Sequence, residues 1–162
     1  MQAATDVRCL RRCIVLAEEA VREGNHPFGA VLVGDDGVVL GEGKNTHSVD
    51  GGPGHAEANL ARAVAREHSP SFLQRTTLYT SVEPCCMCAG TIYWAGIGTV
   101  VFGMTEQALA QLTGDGNAEN PTLSLDCRQV FAASGRDNMI EVRGPFPELE
   151  KEIKEQHVRF WK

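Results

Sequence analysis

Residues 76–102 read TTLYTSVEPCCMCAGTIYWAGIGTVVF, and their pattern sets the fold class. Thr76 to Ser81 is rich in β-branched and aromatic residues and predicts a strand. Pro84 stands where a helix can begin, because the first helical turn does not need its missing N–H. A helix is therefore expected from Cys85 to about Ala95. Thr99 to Phe102 returns to a strand pattern. Strand, helix and strand in 27 residues indicate a layered α/β domain, in which helices cover the faces of a central sheet.

The flanking sequence extends this pattern. Val7, Leu10, Ile14, Ala17 and Val21 recur near helical spacing and predict a helix over 5–23, stopped at Gly24-Asn25. Phe28 to Val33 and Val38 to Leu40 flank the turn Gly34-Asp35-Asp36-Gly37 and predict a hairpin buried on both faces. A helix is expected from His55 to about Glu67, after the loop Gly51-Gly52-Pro53-Gly54. Downstream the expected elements are helices at 106–112, 125–133 and 147–160, a strand at 139–142, and a loop over 113–122. The hairpin is antiparallel and the later strands follow helices, so the sheet should be mixed.

A chain of 162 residues suits one domain, 1–162. Its formal net charge of −6 and pI of about 5.3 count against a polyanionic partner. The apolar run Ile14–Ala17 is too short for a signal-peptide core and no segment is long enough to span a membrane, so the expected location is cytoplasmic. Three of the six cysteines fall within residues 85–88, which is not a disulfide framework. Cys9, Cys13 and Cys127 are read as packing residues.

Two short motifs carry the chemistry. His55-Ala56-Glu57 offers an imidazole and, two residues on, a carboxylate. Pro84-Cys85-Cys86-Met87-Cys88 offers thiolates. Cys85 and Cys88 are i,i+3 and share a helix face, whereas Cys86 points about 100° away. His55, Cys85 and Cys88 make three zinc ligands, one short of a closed structural site, and leave a position for water. Glu57 is then free to move that water's protons. H-x-E followed by P-C-x-x-C is the pattern of zinc deaminases. Both motifs sit at expected helix N-termini, where the dipole favours thiolate over thiol. A non-catalytic zinc module would need a fourth ligand, and His47 is the spare candidate. Gly41-Glu42-Gly43-Lys44-Asn45 fails as a phosphate loop, since Val38 and Asn45 replace the required glycine and hydroxyl residue.

Over most of residues 5–105 the chain resembles the cytidine-deaminase superfamily, in its guanine deaminase and tRNA adenosine deaminase branch. The carrying segments are Pro27–Val31, Asn45, His55–Glu57, Glu83–Gly90 and Ile92–Ala95; the last is most similar to guanine deaminases. The resemblance implies a three-layer α/β/α sandwich on a mixed five-stranded sheet, one Zn2+ per subunit and a homodimer. The C-terminal helix (about 147–162) would pack on, or swap into, the partner. It implies hydrolytic removal of an exocyclic amino group from guanine or a related purine or s-triazine, with release of ammonia. A tRNA adenosine deaminase or a nucleoside deaminase is the alternative. By the same resemblance Asn45 and Ala56 contact the heterocycle, Phe28 and Trp94 wall the pocket, and Trp161 closes it. An acid from the segment after the fourth strand would hold the substrate edge. Leu109 aligns there, leaving Asp115 or Glu119 to substitute. Asn45 also suits a strand-end cap, and Phe28 plain core.

Overall fold

The structure, a computed structural model, describes residues 1–114, 116–135 and 140–161. Five strands form one sheet: β1 (Gly29–Val33), β2 (Val39–Lys44), β3 (Thr77–Val82), β4 (Thr99–Met104) and β5 (Glu141–Arg143). Their order is β2-β1-β3-β4-β5. β1 is antiparallel to β2 and β3, and β3, β4 and β5 run parallel, so the sheet is mixed as expected.

Strand periodicity divides the core. Ala30, Leu32, Leu78, Val100 and Phe102 point to one face. There they meet α3 (Ala56–Glu67), α5 (Cys86–Ala95) and α7 (Cys127–Ala132) through Leu60, Ile92 and Phe131. Val31, Val33, Tyr79, Val101 and Met104 point to the other, against α1 (Gln2–Arg22), α6 (Glu106–Thr113) and α8 (Pro147–Phe160) through Leu10, Leu16, Leu109, Leu149 and Ile153. Adjacent residues on opposite faces are what a two-residue side-chain period requires. The result is a helix–sheet–helix sandwich.

Two short helices, α2 (His47–Asp50) and α4 (Pro70–Leu73), were not expected. The hairpin also departs from its expected form. β1 is buried throughout, but β2 is an edge strand with mixed exposure, and it continues to Lys44. Its extension was hidden by Gly41 and Gly43, which carry no apolar signal. They are small because α3 lies on them: a Cβ at Gly43 would come within 2.5 Å of the Ala56 carbonyl oxygen. That close approach brings the start of α3, and with it His55, over the sheet. The expected strand at 139–142 is β5 at 141–143, with Met139 outside the described residues. Among the described residues no helix is long and apolar enough to cross a membrane.

Candidate active site

The site lies beyond the C-terminal ends of the parallel strands β3 and β4, the usual position for ligand sites in open α/β sheets. Three helices begin around it. His55 is the N-cap of α3, Cys85 the N-cap of α5 and Thr105 the N-cap of α6. Thr105 accepts the Ala108 N–H through its side chain.

The ligand atoms of His55, Cys85 and Cys88 lie within 4.8 Å of one another. His55 Nδ1 is 3.5 Å from Cys85 Sγ and 3.4 Å from Cys88 Sγ. A tetrahedral ion with Zn–N of about 2.05 Å and Zn–S of about 2.3 Å would hold N and S about 3.6 Å apart. The donor types and the spacing therefore fit zinc. Cys86, as its helical phase requires, is not part of the cluster. The Cys88 thiol, then His55, holds the Cys85 thiol well below its ordinary range, against the effect of burial. The neighbouring Cys85, then burial, pushes Cys88 up.

Glu57 is buried, with 4% exposure. Its Oε2 accepts from the Cys88 thiol at 3.6 Å, and its Oε1 accepts from Thr80 Oγ at 2.6 Å. Burial raises its pKa, while the Thr80 hydrogen bond and His55 work the other way. A buried carboxyl shifted upward, beside the histidine–cysteine cluster, has the character of a proton-transfer group.

A cavity of about 20 Å3, room for roughly one water, opens onto these groups. Phe28, His55, Glu57, Glu83, Cys85, Glu106, Leu109 and Asn120 line it. The Phe28 and His55 rings are nearly parallel, 9° apart, with centroids separated by 6.4 Å. His157 of α8 packs edge-on behind Phe28 at 5.0 Å and accepts the Trp161 indole N–H through Nδ1 at 3.0 Å.

The other expected substrate contacts lie elsewhere. Trp94 is 82% exposed beside Met87, Ala61 and Arg62, because six residues of helix turn it about 240° from Cys88. Trp161 packs on His26 and Phe160 and does not line the cavity. Glu119 Oε1 is 3.1 Å from His26 Nε2, outside the cavity. Ala56 is core beneath β2. Asn45 acts as a cap: its Oδ1 accepts the backbone N–H groups of His26 and His47. Asp115 lies outside the described residues. His47, the spare ligand, stacks on His26 at 4.1 Å and is absent from the His55 cluster. His26, His47 and Glu119 do form a second cluster, but two rings only 22° from parallel do not direct lone pairs at one point.

Sequence reasoning missed Glu83 and Glu106. Val82 pairs with Met104 across β3 and β4, so the residues just past both strand ends meet. Glu83 accepts the Glu106 N–H at 3.1 Å and the Cys127 N–H at 2.9 Å, tying the first turns of α6 and α7 together. Burial, then the charges of Cys85 and Glu57, pushes Glu106 up to about 8. The position of both residues, just beyond strand ends in a parallel pair, was the available signal.

Comparison with known proteins agrees with this geometry. Residues 3–104 match the family model of the cytidine and deoxycytidylate deaminase zinc-binding region. A probable cytosine deaminase of Schizosaccharomyces pombe is 36% identical over 157 residues, covering 96% of this chain and 92% of its own length. The guanine deaminase of Bacillus subtilis is 43% identical over 88 residues, covering 53% of this chain and 56% of its own. The chain spans little more than half of that relative. The crystal structure of a Bacillus subtilis guanine deaminase superposes with a TM-score of 0.57 over 64% of this chain and 67% of that one, at 36% identity. A guanine deaminase structure from Nitrosomonas europaea shares the fold with a TM-score of 0.70 over 93% of this chain and 83% of that one, at 19% identity. With its histidine and two cysteines clustered beside a buried glutamate, the chain belongs to the cytidine and deoxycytidylate deaminase family.

Proposed function

We propose that residues 1–162 act as one zinc-dependent hydrolytic deaminase domain that removes the exocyclic amino group of guanine or a related amino-heterocycle. The observation that carries this reading is Glu57, a buried carboxyl beside three convergent ligand atoms and engaged by Thr80. His55, Cys85 and Cys88 would hold the zinc, which when bound supplies Lewis acidity that lowers the pKa of a water.

Glu57 takes a proton from the attacking water and passes it to the ring nitrogen next to the reacting carbon. A C–O bond forms at that carbon. Glu57 then takes the remaining proton from the added hydroxyl and returns it to the amine; the carbonyl forms as the C–N bond breaks, and ammonia leaves. Thr80 holds the carboxyl in place throughout. The nearly parallel Phe28 and His55 rings both line the cavity, and flat ring faces suit contact with a planar substrate.

Cytosine is the second reading, favoured by the relative that matches along nearly the whole chain. The exposed Trp94 and Met87 on α5 support a homodimer. A site that depends on reduced cysteines suits the cytoplasm. The test is ammonia release from guanine, adenine, cytosine, their nucleosides, amino-triazines and a tRNA anticodon stem. Release from one or more free bases is the expected result. Release from the tRNA stem alone, falling steeply with salt, or from nothing, would refute the proposal.

A further inference from the structure

We propose that Thr80 is a positioning residue that selects the working oxygen of Glu57: its hydroxyl donates to Oε1 and so reserves Oε2 for the attacking water. The inference deepens the deaminase reading above and rests on it.

Thr80 differs from its surroundings. On β3 it pairs with Ala30 of β1 and with Phe102 of β4, and Leu78 shares its sheet face. Those neighbours are apolar and fully buried, and Thr80 is itself 0% exposed. Valine, of nearly the same shape, would satisfy a strand in that core. A buried hydroxyl costs stability unless it is hydrogen-bonded. Two acceptors lie within reach, Glu57 Oε1 at 2.6 Å and the Val82 carbonyl oxygen at 3.0 Å. A hydroxyl carries one hydrogen and serves one of them at a time. The shorter contact has the length of an O–H bond to a carboxylate, which is the stronger kind. The hydrogen therefore belongs to Glu57.

The division of labour between the two oxygens follows. Oε1 is held by Thr80. Oε2 lies 3.6 Å from Cys88 Sγ, beside the ligand cluster. In the metal-free protein it accepts from the Cys88 thiol; a ligand cysteine is a thiolate, so with zinc bound Oε2 loses that donor and is open to the water. The proton taken from water then sits on Oε2 and leaves from there for the ring nitrogen. The last torsion of a glutamate is soft. Without the Thr80 bond the carboxyl turns, and the two oxygens compete for the proton.

Neutron diffraction from crystals of the zinc-loaded protein exchanged into D2O reads the hydrogen directly. The deuteron on Thr80 should point to Glu57 Oε1; a deuteron pointing to the Val82 carbonyl overturns the proposal. Thr80→Val and Thr80→Ser are compared on a heterocycle that the parent protein deaminates. Thr80→Val should lower kcat by about 10- to 100-fold, the effect of losing a hydrogen bond to a charged group, with KM changed less than about threefold. Thr80→Ser keeps the hydroxyl and should recover most of kcat. Zinc should stay at one per chain in both. An unchanged kcat in Thr80→Val, an equal fall in both variants, or a loss of zinc that parallels the loss of kcat would each overturn the role of Thr80. Should Thr80→Val not fold, the deuteron position and the activity of Thr80→Ser still decide. If no heterocycle is turned over, the deaminase reading fails, and the deuteron alone decides whether Thr80 holds Glu57.

Discussion

Replacing Glu83 by glutamine should loosen the wall of the site while leaving the metal ligands in place. Glu83 is 5% exposed and each oxygen accepts one backbone N–H, from Glu106 at 3.1 Å and from Cys127 at 2.9 Å. Both are first residues of helices, so the carboxylate also meets two positive dipole ends. Glutamine keeps one acceptor oxygen and turns an NH2 toward the other N–H. The N–H left unpaired costs about 1–3 kcal/mol, and the surviving bond loses about 1 kcal/mol with its charge. The sum is about 2–4 kcal/mol, which in a domain of this size lowers Tm by about 5–15 °C. Urea and thermal unfolding of the zinc-loaded protein measure it directly. The kcat/KM should fall more than about tenfold, since a misplaced wall spoils substrate alignment, with zinc still at one per chain. A stability loss below about 0.5 kcal/mol with unchanged m-value would show that Glu83 does not brace α6 and α7.

Cys88→Ser should lower zinc content and stability together, whereas Cys86→Ser should leave zinc at one per chain; metal analysis with melting curves separates them. Glu57→Gln should keep its zinc and lose turnover by at least about 10²- to 10⁴-fold, read as ammonia released. Burial holds His157 down to about 4, below its unfolded value near 6.5. The unfolded chain binds the extra proton between those values, so this stability contribution is complete above about pH 6.5 and is lost as pH falls toward 4. His157→Phe should flatten the stability profile in that window by up to about 3 kcal/mol, and parallel profiles for both proteins would contradict it.

What could be read from the sequence was local. The clustering of His55, Cys85 and Cys88 followed from i,i+3 geometry and from two helix starts, each encoded within a few residues of His55 and Pro84. The strand–helix–strand unit around it was equally local. The acidic wall was not, because Glu83 and Glu106 are 23 residues apart and meet only through the parallel register of β3 and β4. β2 was read short because Gly41 and Gly43 answer to α3 packing above them rather than to strand propensity. Trp94 was placed in the pocket by resemblance, although its helical phase relative to Cys88 turns it outward. Phe28 was expected both as wall and as core, and it is both: one face looks into the cavity and His157 packs behind it.

Three carboxyls around one small cavity would repel one another if they were equivalent, and the structure makes them unlike. Glu83 is stabilised by two helix ends and serves as framework. Glu57 has one hydroxyl donor and a raised pKa, the condition for handling a proton. Glu106 is pushed up to about 8 by burial and then by the charges of Cys85 and Glu57, so it holds its proton at neutral pH. Environments that differ in this way are how one site assigns different tasks to chemically identical groups. It also explains why the metal motif alone leaves the substrate open: Glu83 and Glu106, which line the cavity beside Glu57, lie outside that motif.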